Sequence, residues 1–211
     1  MILQPQFEEL IAFASGEALM PELLKAKAAY FAATGEIFED DASFEQSMAA
    51  FLDFYAFDWK LEREGVTPAE LFFRRGAFAN ADDAPIFEGF QATWHSLFEV
   101  RKLGRESLRL RDLFSQRDVE VFERRRLVGL AKGDLIEARL LPMGEQRVLS
   151  RAVAFHPGVV RKAILAEIKR RQRAEPGFDT RAFIWSLARM RLKFERYRNI
   201  APEQIYDFAK R

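Results

Sequence analysis

The chain holds two histidines, His95 and His156, and they bracket one stretch of alternating sequence, with Ser96 directly after the first. Imidazole changes charge near neutrality, ligates metals and takes protons from hydroxyls. Brought together at one end of a small β module with Ser96 nearby, the two rings would suit metal binding or acyl transfer. Two ligands alone do not close a typical metal site, so each histidine is expected to be a junction residue satisfied by backbone or solvent. Asp58 is the third candidate. A helix over 43–60 carries an apolar stripe of Phe44, Met48, Phe51 and Tyr55, and if it continues through Trp59 then Asp58 falls inside the stripe while Asp53 points away. A carboxylate on an apolar face must find a partner or its pKa rises. Pairing with an arginine or a helix end is the expectation, and a general acid or base is the catalytic alternative.

The last fifty-five residues carry a second kind of chemistry. On a helix over 179–198, Phe183, Leu187, Met190, Phe194 and Tyr197 form one apolar stripe, and the opposite face carries Arg181, Trp185, Arg189, Leu192 and Arg196. Arginines four residues either side of an indole can stack bases and grip phosphates. Lys162, Lys169 and Arg173 share one side of the preceding helix. Three fates compete for this cationic surface: solvation, docking on the acidic N-terminal helices or a partner, and nucleic-acid binding. Arg124-Arg125-Arg126 adds to the basic total.

These residues sit in a chain of 211 residues with 33 Lys+Arg, 32 Asp+Glu and a formal net charge of +1. The balance hides a segregation. Residues 1–96 hold 6 bases and 17 acids, residues 97–156 hold 13 and 9, and residues 157–211 hold 14 and 6. The acidic front and basic tail are expected to attract each other. Without cysteine, the chain can build no disulfide, thiolate nucleophile, zinc knuckle or iron–sulfur cluster, which fits a reducing cytoplasm. No G-x-S-x-G, Walker or dinucleotide-binding glycine pattern occurs, so no cofactor is expected. The sequence shows no signal peptide and no apolar run long enough for a spanning helix, so no membrane is expected.

Helix signals place helices near 5–14, 21–33, 43–60, 68–75 and 84–95. Capping boxes are expected at Ser43-Phe44-Glu45-Gln46 and Thr67-Pro68-Ala69-Glu70, and C-terminal stops at Gly35 and Gly76. From Leu97 the period becomes two. Five short strands with tight connections predict a small antiparallel barrel or curled sheet, because parallel pairing would need long crossovers. Its outward Arg101, Arg109, Arg111 and Arg139 alternate with Glu99, Glu120 and Glu137, as cross-strand ion pairs would. Helical period returns near 157–173, 179–198 and 202–210. The expected architecture is α+β, with an acidic helical segment 1–96, a β module 97–156 and a basic helical segment 157–211 packing on the others.

The run Phe51-Leu52-Asp53-Phe54-Tyr55-Ala56-Phe57-Asp58-Trp59 is followed by Thr67-Pro68, then by Leu108-Arg109-Leu110-Arg111-Asp112-Leu113 and Gly133-Asp134-Leu135-Ile136-Glu137-Ala138-Arg139. Over roughly residues 45–155 the chain resembles a family of bacterial proteins of uncharacterised function, related to SEC-C motif-containing proteins, in which a helical segment precedes a small β module. Some members carry a C-terminal SEC-C zinc motif, which a chain without cysteine cannot build. The resemblance implies the architecture and no activity. A cytoplasmic, non-catalytic interaction or adaptor protein is therefore expected, with a protein partner or self-association through the Trp185 and arginine face. A nucleic-acid-binding protein using the same face is the alternative, and a hydrolase or metal-dependent enzyme near His95, His156 and Asp58 is the second alternative.

Overall fold

A computed structural model describes residues 2–125, 127–197 and 199–208. Five helices come first: α1 (Gln4–Ala14), α2 (Met20–Thr34), α3 (Phe44–Phe57), α4 (Pro68–Arg75) and α5 (Ala84–Gly89). Thr67 starts α4 with the expected reciprocal cap, its hydroxyl accepting from the Glu70 amide at 3.2 Å and its own amide donating to the Glu70 carboxylate at 2.7 Å. Ser43 makes no such cap, because its ψ of 15° is not the extended conformation that aims a hydroxyl at the first turn. Gly35 ends α2 at φ 104°, where a Cβ would come within 3.0 Å of Leu192 on a later helix. A left-handed backbone and a close approach thus both require glycine there.

Six strands follow: β1 (Trp94–Leu103), β2 (Ser107–Asp112), β3 (Asp118–Phe122), β4 (Leu135–Met143), β5 (Gln146–Leu149) and β6 (Ala154–Phe155). β1 is long enough to pair with β4 through Trp94 to Glu99 and with β2 through Phe98 to Leu103, with a register shift between Val100 and Lys102. It thereby closes a five-stranded barrel in the order β1-β2-β3-β5-β4, and β6 extends the edge of β4 beyond β5. The barrel is mixed rather than antiparallel throughout, since Phe122 of β3 pairs with Val148 of β5 in parallel. The crossover that such a pair needs is supplied by β4 itself with its two flanking loops. Phe98, Val100, Leu110, Val121, Ile136, Ala138 and Leu140 fill the interior.

Three further helices follow among the described residues: α6 (Arg161–Ala174), α7 (Thr180–Arg196) and α8 (Pro202–Ile205). Residues 209 and 210 of the expected last helix lie outside the described residues, as does Arg126. α7 is apolar on two faces and is used on both. Phe183, Leu187 and Met190 pack with α6 on Leu97 and Leu135 of the barrel's outer face. The opposite face meets the aromatic cluster of α1, α2 and α3, where Trp185 contacts Tyr30 and Phe54 edge-on with ring centres 6.1 and 5.4 Å away. The predicted attraction of acidic front for basic tail is realised there: Arg196 donates to Asp41 at 2.6 Å, and Arg189 donates to the Ala32 carbonyl.

A buried charge network opening on a cleft

Strand alternation decides what reaches the space between barrel, α3 and α7. On β1, Phe98 faces the barrel interior with Ser96 on its side, so His95 and Leu97 face the helices. On β4, Ile136 and Ala138 face inward, so Glu137 and Arg139 face outward. Antiparallel pairing sets His95 opposite Arg139 and Leu97 opposite Glu137, which puts one imidazole, one carboxylate and one guanidinium on a single patch. Helix α3 adds Asp53 from its barrel-facing side and Asp58 from its end.

Arg139 is 2% exposed and is the centre of this patch. Its Nη2 donates to Asp58, its Nη1 donates to the Thr93 hydroxyl at 2.8 Å, and its Nε stands 3.9 Å from Asp53. Asp58 thus takes the arginine partner expected of it, but the two aspartates exchange the orientations predicted for them. The helix stops at Phe57, and Asp58 has the non-helical φ of −124°, so the stripe geometry does not extend to it. Asp53 is the deeply buried one. Burial pushes its carboxyl up to about 6, against the opposing pull of Arg139 and the Ser150 hydroxyl.

His95 shares a hydrogen bond of 3.2 Å between its Nε2 and Glu137 Oε1. Burial acts to raise the Glu137 carboxyl, but the hydrogen bond and charge of His95, with Arg191 and His156 behind, more than offset it and leave Glu137 below the usual carboxylate range. Glu137 is therefore a buried anion at neutral pH. His156 lies on its far side, buried, with Nδ1 sharing a hydrogen bond of 3.1 Å with the Tyr206 hydroxyl. Burial holds the His156 imidazole down at about 4, so this ring is neutral. The two histidines flank one carboxylate and do not meet, and Ser96 faces the other way, so the acyl-transfer trio is not assembled. Among the described residues no three His, Asp or Glu side chains are grouped to hold a metal ion.

The patch opens on a cleft of about 490 Å³ lined by Asp58, Thr93, His95, Arg139 and the first turn of α7 with Arg181. Arg181 is half exposed, and its nearest carboxylate, Asp58, is 3.9 Å away, beyond hydrogen-bond reach. The cleft therefore offers a backed imidazole, a hydroxyl and a guanidinium that has only a loose ion pair with Asp58. His95 and Arg181 are both candidates from the sequence, Arg181 there on a partner surface, and Glu137 and Arg139, expected in solvent-facing ion pairs, are instead buried. Their burial arises because the helices cover this face of the barrel, which strand alternation alone does not reveal.

The rest of the predicted partner surface divides. Trp185 and Leu192 pack inside the molecule, and Arg189 and Arg196 are bonded to the N-terminal segment. Lys162, Lys169 and Arg173 are exposed on α6. Arg125 is clamped by Glu123 at 2.6 Å, and Arg124 lies over the Phe122 ring. Arg101 pairs with Glu99, an expected partner, whereas Arg109 and Arg111 both pair with Asp118 instead of the expected glutamates. A wider groove of about 750 Å³ runs along α2 under Leu24, Phe31, Phe38 and Met48. It is mainly apolar and lies apart from the charge network.

Among the described residues no helix is long and apolar enough to cross a membrane. No curated protein and no solved structure matches the chain. A family model described as a family of unknown function (DUF7986) matches residues 17–185, a span that holds α2 to α6, the whole barrel and the start of α7. The network of Asp53, Asp58, His95, Glu137 and Arg139 falls inside that span, and the chain belongs to the DUF7986 family.

Proposed function

We propose that the protein binds a small polar ligand bearing a carboxylate or phosphate group in the cleft between barrel and α7, and that His95 accepts a proton there. The observation that carries this is the position of His95. Its ring lines the cleft while its Nε2 is held by an ionised, buried carboxylate. Such backing fixes the orientation of the ring and leaves Nδ1 as the nitrogen for the ligand. Arg181 supplies the anion contact with a guanidinium not already spent on a hydrogen-bonded carboxylate. This takes up the enzyme alternative of the sequence, a site near His95, with His156 behind Glu137 and outside the cleft.

A thermal-shift panel of small carboxylic acids and phosphate monoesters tests it. At least one compound should raise the melting temperature of the wild type and fail to raise that of Arg181→Gln. A panel with no stabilising member, or stabilisation that survives Arg181→Gln, overturns the reading.

The interaction role expected from the sequence is the second reading, and what favours it is the apolar groove along α2, where Leu24 is 58% and Phe38 55% exposed. Loss of self-association on Leu24→Glu, seen by analytical ultracentrifugation, would support it; a wild-type monomer at all concentrations speaks against self-association.

A further inference from the structure

The exposed cations of α6 are joined to a second cationic surface by Arg161, the first residue of that helix. Arg161 Nε donates to the Gly133 carbonyl at 2.9 Å, and its Nη2 donates to Glu99 on β1 at 2.7 Å. The start of α6 is thereby pinned beside the turn that carries Lys132. Lys132 in turn lines a groove on the outer face of the barrel with Arg101, Lys102 and Arg109. On α6 itself, Lys162, Lys169 and Arg173 lie within about 40° of one another at 100° per residue and span about 17 Å along the axis.

Two of the acids on this surface are already neutralised, while Asp134, beside Lys132, only accepts from the Ala131 amide. Glu99 is held between Arg101 and Arg161, and Asp118 between Arg109 and Arg111. Among the described residues, Lys102, Lys132, Lys162, Lys169 and Arg173 have no carboxylate within ion-pair distance, so five cations of the surface are free of an ion pair and outnumber the two unpaired acids beside them, Asp134 and Glu175. An ordinary solvated face alternates in sign or pairs its charges, as the Arg109 and Arg111 strand does.

We propose that this row, running from the barrel groove across Arg161 onto α6, binds the phosphate backbone of a single-stranded nucleic acid. A single line of cations matches one phosphate strand, whereas a duplex presents two. The groove has no aromatic lining, so recognition is by phosphate neutralisation and carries no base preference. The surface is separate from the His95 cleft and stands whether or not that cleft holds a ligand.

Fluorescence anisotropy with a labelled single-stranded 20-mer at 50 and 200 mM salt tests the proposal. Five neutralised phosphates predict about a hundredfold loss of affinity between the two conditions. Lys162→Glu/Lys169→Glu should weaken binding at least tenfold at 50 mM and reduce the salt slope, and Lys27→Glu on the far α2 groove should change neither. Absence of binding at 50 mM, unchanged affinity in the double variant, or tighter binding to the duplex of the same sequence overturns it. Binding to anionic vesicles in place of the oligonucleotide overturns it in favour of a membrane surface.

Discussion

Arg139 on β4 is bonded to Asp58, the residue just after α3, and so ties the helical N-terminal segment to the barrel through a pair whose guanidinium is buried and whose carboxylate borders the cleft. The same guanidinium faces Asp53 on α3, so one cation serves two aspartates. Desolvating three charges is costly, and the arrangement holds only while the partners remain together.

Breaking the pair from either side should therefore be unequal. Arg139→Met strands two carboxylates and is expected to cost about 3–5 kcal/mol, while Asp58→Ala leaves Arg139 with Asp53 and Thr93 and costs less, about 2 kcal/mol. Urea denaturation midpoints measure both. Equal or negligible losses would show that Arg139 does not serve both aspartates.

Asp53 should give stability a distinctive pH dependence. Its carboxyl is raised from 3.8 to about 6, so its contribution is complete below pH 3.8 and is lost as pH rises through 6. At neutral pH the forced ionisation costs about 3 kcal/mol. Asp53→Asn is expected to stabilise the protein at pH 7.5 and to have little effect near pH 4. A variant equally destabilised at both would contradict the burial-dominated account.

His156 works in the opposite sense. Its imidazole is lowered from 6.5 to about 4, so stability is complete above pH 6.5 and is lost as pH falls through 4. Of the acid-limb loss, about 3 kcal/mol should disappear in His156→Gln, whose amide can still bond the Tyr206 hydroxyl. An unchanged acid limb would show that His156 is not the group responsible.

Trp185 should behave as a packing residue. Its ring packs edge-on against both Tyr30 and Phe54, so Trp185→Ala is expected to lower stability by about 2–3 kcal/mol, the loss of a partly buried indole. Thermal or urea unfolding measures it. A wild-type midpoint would return this ring to the surface role suggested by the sequence.

Much of the architecture was legible from periodicity, because caps such as Thr67 with Glu70 and stops such as Gly35 and Gly76 act locally. The parallel β3 and β5 pair was not, since it depends on where β4 lies in space. The apolar stripe shows that Asp58 needs a partner but not which way it points, because α3 ends at Phe57 and does not run on through Trp59. Glu137 and Arg139 looked like solvent-facing strand residues because a β period reports alternation and not what covers each face. The arginines around Trp185 looked like a ligand surface because the same pattern serves an internal helix contact equally well.

The proposed anion site rests on the ring of His95. Nitrogen-15 NMR of the two imidazoles, recorded while inorganic phosphate is added at constant pH and ionic strength, reads it directly. A saturable shift of the His95 resonances in the millimolar range, lost in Arg181→Gln and without change at the buried His156, is the predicted result. No response at His95, or a response that persists in Arg181→Gln, would contradict an anion site built on the Glu137-backed imidazole.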